Sequence, residues 1–87
     1  MYIVMVYDVE QAKVSKVCKF LRKYLNWVQN SVFEGEVSEG QLYKIQKGIE
    51  KIIDKERDSV LMFKAASPKW LEKSVIGIER NMTSNLI

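Results

Sequence analysis

Two amphipathic helical stretches, the short apolar extended runs that alternate with them, and a chain too short for a second core together predict an α+β fold. Taken in order, the elements read β-α-β-β-α-β, the ferredoxin-like pattern, with a short edge strand near the C-terminus. A single domain over residues 1–80 and a tail over 81–87 follow. Two helices can cover only one face of such a sheet, and both faces of the first extended run are apolar, so the other face is expected to meet a second copy in a homodimer.

The run Tyr2 to Val9 is rich in β-branched and aromatic residues and has no early breaker, which is a strand signature. Its alternate sets are Tyr2, Val4, Val6 and Asp8 against Ile3, Met5, Tyr7 and Val9. From about Ala12 to Tyr24 the apolar residues Val14, Val17, Cys18, Leu21 and Tyr24 recur at helical spacing, with Phe20 widening the stripe. Trp27 to Val37 is again extended, but its alternation slips near Asn30 and Ser31; a bend or bulge there gives two short antiparallel strands or one broken strand.

Ser38 and Gln41 have the spacing of a capping box, and Leu42, Ile45, Ile49, Ile52 and Ile53 mark a second helix to about Lys55, locally weakened by Gly48. Ser59 to Ala65 is the next strand, after the charged turn Lys55 to Asp58. Ser67-Pro68 suits the start of a short helical turn, because proline tolerates the first helical position.

Composition narrows the chemistry. Histidine is absent, which removes the usual neutral-pH base and any histidine metal ligand. The single cysteine, Cys18, allows no intrachain disulfide and no cysteine cluster, and it lies on the inward helical stripe as a small hydrophobe. No apolar run has the length of a membrane span and no leader is recognisable, so a cytoplasmic protein without a membrane partner is expected.

The net charge of +3 is modest, but Lys13, Lys16, Lys19, Arg22 and Lys23 fall within eleven positions that contain no acid. A helix docked by its apolar stripe presents these cations outward, as an ordinary solvated face or as a surface for a polyanion. Lysine is a mobile point charge, so such a surface suits phosphates better than base edges and implies strong salt sensitivity.

Asp8 stands where the first strand gives way to the loop before the helix. It terminates the strand or caps the first helix, or else offers carboxylate oxygens to a hard cation such as Mg²⁺, with a two-fold axis supplying a second copy. Glu34 and Glu36 share a strand face as ordinary edge charge, and Tyr7, Trp27 and Phe33 read as core or interface aromatics before base-stacking platforms.

Tyr7-Asp8-Val9, the lysine-spaced helix after it, and especially Gln29-Asn-Ser-Val-Phe-Glu-Gly35 closely resemble the CRISPR-associated Cas2 family, and Asp58-Ser-Val-Leu-Met-Phe63 resembles its later strand. The resemblance implies a ferredoxin-like dimer of prokaryotic antiviral defence, with a C-terminal strand, here near Ser84 to Ile87, donated toward the other protomer. It implies an adaptor of spacer acquisition that holds duplex DNA and bridges the CRISPR integrase.

Some members are described as metal-dependent endonucleases, and that implication places a catalytic, Mg²⁺-binding role on Asp8, supported by Tyr7, Ser31 and Phe33, with RNA or DNA as substrate. A toxin-like or regulatory dimer is the third reading. The loop Glu10-Gln11-Ala12 departs from the family by lacking its arginine-rich run.

Overall fold

The computed structural model describes residues 1–81 and contains the expected elements in the expected order. They are β1 (Tyr2–Asp8), α1 (Gln11–Leu21), β2 (Asn26–Gln29), β3 (Val32–Glu36), α2 (Glu39–Ile52) and β4 (Ser59–Ala65), followed by one 3₁₀ turn at Pro68–Trp70. The strands form a single antiparallel sheet in the order β2-β3-β1-β4, so β1 lies between two strands made after it. This is the ferredoxin-like arrangement.

Alternation along β1 decides which residues enter the core. Ile3, Met5 and Tyr7 are almost fully buried beneath the two helices, and Phe33 of β3 joins them. Val17 and Leu21 of α1 and Leu42, Ile45 and Ile49 of α2 close the core from the helical side.

The two helices approach closely because residue 48 is glycine: an added Cβ would lie 2.0 Å from Cζ of Phe20, whose ring end fills that space. The local cost in helix propensity noted for Gly48 thus has a packing reason. Gly35 of β3 similarly leaves room for Leu25, whose Cδ2 would lie 3.2 Å from an added Cβ.

Element ends differ from the expected bounds for identifiable reasons. The first helix ends at Leu21 because the N–H groups of Lys23 and Tyr24 turn to the carbonyls three residues back, a tightening into the turn that leads to β2. The extended region 27–37 resolves into two strands. Asn30 takes φ 44° in the turn between them, and the Nε1 of Trp27 donates to the Asn30 carbonyl at 3.0 Å. The slip in alternation has a second component, a bulge at Val28, where the register jumps from Trp27↔Phe33 to Gln29↔Val32.

The capping box forms as expected: the Gln41 N–H donates to Ser38 Oγ at 3.1 Å, and the Ser38 N–H to Gln41 Oε1 at 3.0 Å. The second helix stops at Ile52, short of Lys55, because Ile53 is extended and the Asp54 N–H is taken by the Asp58 carboxylate at 2.8 Å.

The sheet face away from the helices carries Tyr2, Val4, Val6, Val32, Leu61 and Phe63, with Leu61 and Phe63 each 55% exposed. The segment after β4 returns across part of it. Lys73 pairs with Glu34 at 3.0 Å, and Asn81 Nδ2 donates to the Trp27 carbonyl. A cavity of about 510 Å³ remains between Tyr2, Val4 and Val32 on one side and Pro68, Leu71 and Lys73 on the other. The expected C-terminal strand near Ser84 to Ile87 lies outside the described residues.

Candidate nucleic-acid interface and carboxylate site

Asp8 ends β1 on the uncovered face, in register with Ser59 of β4. It is exposed, and among the described residues its carboxylate has no hydrogen-bond or ion-pair partner. No three His, Cys, Asp or Glu side chains among the described residues gather as metal ligands. Mg²⁺ commonly keeps several waters and binds through one or two carboxylates, so a free Asp8 is compatible with it as one donor of a shared pair. The side chain follows Val6 on the open face, and a second copy laid against that face would place another Asp8 on the same side of the sheet.

The three residues expected to support Asp8 do not share its surface. Tyr7 and Phe33 point into the helix-covered core, 4% and 0% exposed, with their rings stacked at 6.2 Å. Burial, with the Cys18 thiol next in effect, pushes the Tyr7 phenol up and keeps it protonated. Ser31 sits in the β2–β3 turn, where its carbonyl accepts the Tyr7 N–H at 3.1 Å. Tyr7, Ser31 and Phe33 therefore brace the end of β1 from below, while Asp8 alone of the four meets solvent on the other side.

The basic cluster divides in the same way. Lys16, Lys19, Arg22 and Lys23 are exposed, and three of them, Lys16, Lys19 and Lys23, border a shallow groove of about 440 Å³ floored by Phe20 and Ile52. The Lys23 ammonium stands 6.0 Å from the Phe20 ring centroid. Lys13 is different: its Nζ lies 2.7 Å from Asp58 Oδ2 and 3.2 Å from Glu10 Oε1. Asp58, the largest influence on it, pushes the Lys13 ammonium up, so it stays charged within that cluster.

Asp58, which closes the charged turn Lys55 to Asp58, is a functional residue that local sequence does not single out. Its side chain is wholly buried, and it accepts from the N–H of Glu10 at 3.0 Å, the N–H of Asp54 at 2.8 Å and Lys13 Nζ at 2.7 Å. The Asp54 N–H, then the Lys13 ammonium, and also the Glu10 N–H hold its carboxyl down at about 2, against the opposing effect of burial. The link fixes the loop after Asp8 to the loop before β4. Only its contact with the Asp54 N–H, four residues back, is local enough to leave a trace in the sequence.

The family model described as CRISPR associated protein Cas2 matches residues 1–73. The chain belongs to the CRISPR-associated Cas2 family. The CRISPR-associated endoribonuclease Cas2 of Pyrococcus furiosus is 51% identical over 87 residues, covering all of both chains. The protein called CRISPR-associated endoribonuclease Cas2 3 of Thermodesulfovibrio yellowstonii is 46% identical over 86 residues, covering 99% of this chain and 98% of its own.

A crystal structure of a Cas2 protein superposes with a TM-score of 0.84 at 41% identity, covering 92% of this chain and 90% of that one. Cas2 membership gives the chain a general role in CRISPR adaptation. No helix among the described residues is long and apolar enough to cross a membrane.

Proposed function

We propose that this Cas2-family chain acts as a dimeric adaptor of spacer acquisition that holds duplex DNA through the outward lysines of α1 and bridges the CRISPR integrase. The observation that carries this reading is the placement of Lys16, Lys19 and Lys23 around one groove, with no carboxylate of the described residues in ion-pair reach. Unpaired lysines on a rigid helix attract phosphate without reading sequence. The open sheet face, with Val4, Val6, Leu61 and Phe63, supports pairing with a second copy, because small domains leave little apolar surface uncovered without a partner.

The test is integration of duplex DNA in a reconstituted reaction with the cognate integrase, comparing no added chain, the native chain and Asp8→Asn. Integration that requires the chain and tolerates Asp8→Asn is the expected result. Integration indifferent to the chain would overturn the adaptor reading.

One observation favours a second reading, a Mg²⁺-dependent endonuclease acting on RNA or DNA through paired Asp8 residues. Asp8 is exposed, without a partner among the described residues and on the face proposed for dimerisation, and the curated relatives carry the name endoribonuclease. Mg²⁺ bound there would supply Lewis-acid charge to offset the negative phosphate. Asp8 would hold the ion, while Tyr7, Ser31 and Phe33 keep the end of β1 rigid beneath it. This reading expects Asp8→Asn to abolish Mg²⁺-dependent cleavage by highly purified protein; cleavage at an unchanged rate would remove Asp8 from the chemistry.

A further inference from the structure

The cations of the described residues fall into two populations. Lys13, Lys47, Lys55, Arg57 and Lys73 each lie within 4.0 Å of a carboxylate, between 2.7 Å for Lys13 and 3.9 Å for Arg57. The other nine have no such partner among the described residues: Lys16 and Lys19 on α1, Arg22 and Lys23 just after it, Lys44 and Lys51 on α2, and Lys64, Lys69 and Arg80 elsewhere.

The distribution is not that of a generic solvated helix, where acids three or four positions away commonly answer lysines. No acid occurs on α1, and Glu50 of α2 is engaged by Lys47 and Lys55.

The contact between Phe20 and Gly48 sets how the helical members of the second group are arranged. Because no Cβ separates the ring from α2, Phe20 fixes which sides of the two helices meet. At 3.6 residues per turn, Lys44 and Lys51 lie about 40° and about 60° around α2 from Gly48, on the side away from Ile45, Ile49 and Ile52. Both are exposed. Lys16 and Lys19 of α1, with Lys23 in the turn after it, border the groove whose floor is Phe20 and Ile52.

Each rim, Lys16 to Lys23 and Lys44 to Lys51, rises about 10 Å along its helix. The axes of packed helices lie roughly 8–10 Å apart. On this spacing Lys44 and Lys51 would form a second rim across the Phe20–Gly48 contact from the groove's lysines, with Phe20 between the two rims.

We infer that Lys44 and Lys51 complete a two-helix phosphate-binding seam with Lys16, Lys19 and Lys23, and that its ligand is the sugar-phosphate backbone of nucleic acid laid along the α1–α2 contact. The inference rests on the DNA-binding reading and extends it to α2. A length of about 10 Å accommodates roughly three phosphates of one strand, at 3.4 Å per charge along the axis. Point charges over Phe20 and Ile52 hold a backbone without reading its bases. The seam belongs to the helical layer, so occupying it leaves the open sheet face free.

The experiment is titration of a fluorescently labelled duplex with the full chain across a series of salt concentrations. Four proteins are compared: native, Lys16→Gln/Lys19→Gln/Lys23→Gln, Lys44→Gln/Lys51→Gln, and Lys64→Gln/Lys69→Gln as an off-seam control. The α2 double variant is expected to weaken binding and to lower the slope of log affinity against log salt by about 1 per lysine, as the α1 variant does, while the control keeps the native slope.

A native slope in the α2 variant beside a reduced slope in the α1 variant would overturn the seam and leave the α1 reading standing. Native slopes in both would overturn the two together. Equal losses in the control would also overturn the seam, by showing attraction to net charge alone.

Discussion

One strand builds two unlike surfaces. From β1, Ile3, Met5 and Tyr7 enter a core closed by two helices, while Tyr2, Val4, Val6 and Asp8 look out over a face only partly crossed by the segment after β4. Apart from Asp8 the two sets are similar in apolar character; their fates differ because the chain has two helices and a sheet has two sides. Burial of the first set holds the chain together, whereas incomplete burial of the second leaves surface for another molecule and a carboxylate at its end.

The contrast can be broken most strongly on the covered side. Phe33→Ala removes a fully buried ring that stacks on Tyr7, and guanidinium unfolding is expected to show a loss of about 3–5 kcal/mol. A loss below about 1 kcal/mol would mean the covered face is not the stabilising one.

The clasp at the end of the sheet sharpens the comparison through pH. Asp58 has its folded pKa depressed to about 2 from an ordinary 3.8, so its contribution is complete above 3.8 and is lost as the pH falls toward about 2. In acid titrations followed by circular dichroism, Asp58→Asn should remove part of the native chain's loss of stability across that window. An unchanged acid profile would show that the Lys13 and backbone contacts do not favour the charged form.

The smallest effect on the chain itself belongs to the open side. Phe63→Glu, at a position 55% exposed, should change the stability of the dilute chain by no more than about 0.5 kcal/mol. Light scattering is nevertheless expected to show the mass falling from two chains to one. A mass unaffected by the substitution would take Phe63 out of the proposed self-pairing surface.

Features carried by local periodicity were legible in the sequence. The alternation of β1, the stripes of both helices and the Ser38/Gln41 cap arise from residues close along the chain, and the structure has each of them. The β2–β3 hairpin was half legible: the slip near Asn30 marked the turn, but the bulge at Val28 depends on cross-strand register, which one strand's sequence does not encode.

Asp58 was illegible as a clasp because its partners Glu10 and Lys13 are 48 and 45 residues away. Lys13 looked like its neighbours in the basic run for the same reason. Of the candidate site, the alternation of β1 set Asp8 and Tyr7 on opposite faces, while the association of Tyr7, Ser31 and Phe33 with Asp8 came from the family resemblance, which does not carry the direction in which the pleat sends each side chain.

The position of β1 in the sheet also bears on synthesis. Its hydrogen-bonding partners are β3 and β4, so Tyr2 meets Glu36 on one side and Ala65 on the other. A chain emerging N-terminus first therefore presents its most apolar strand long before either edge of that strand can be paired, and cannot complete the sheet until residue 65 has been made. Until then β1 carries an unpaired edge, so the earliest of the four strands stays open to chaperones and to misassociation until the latest of them arrives.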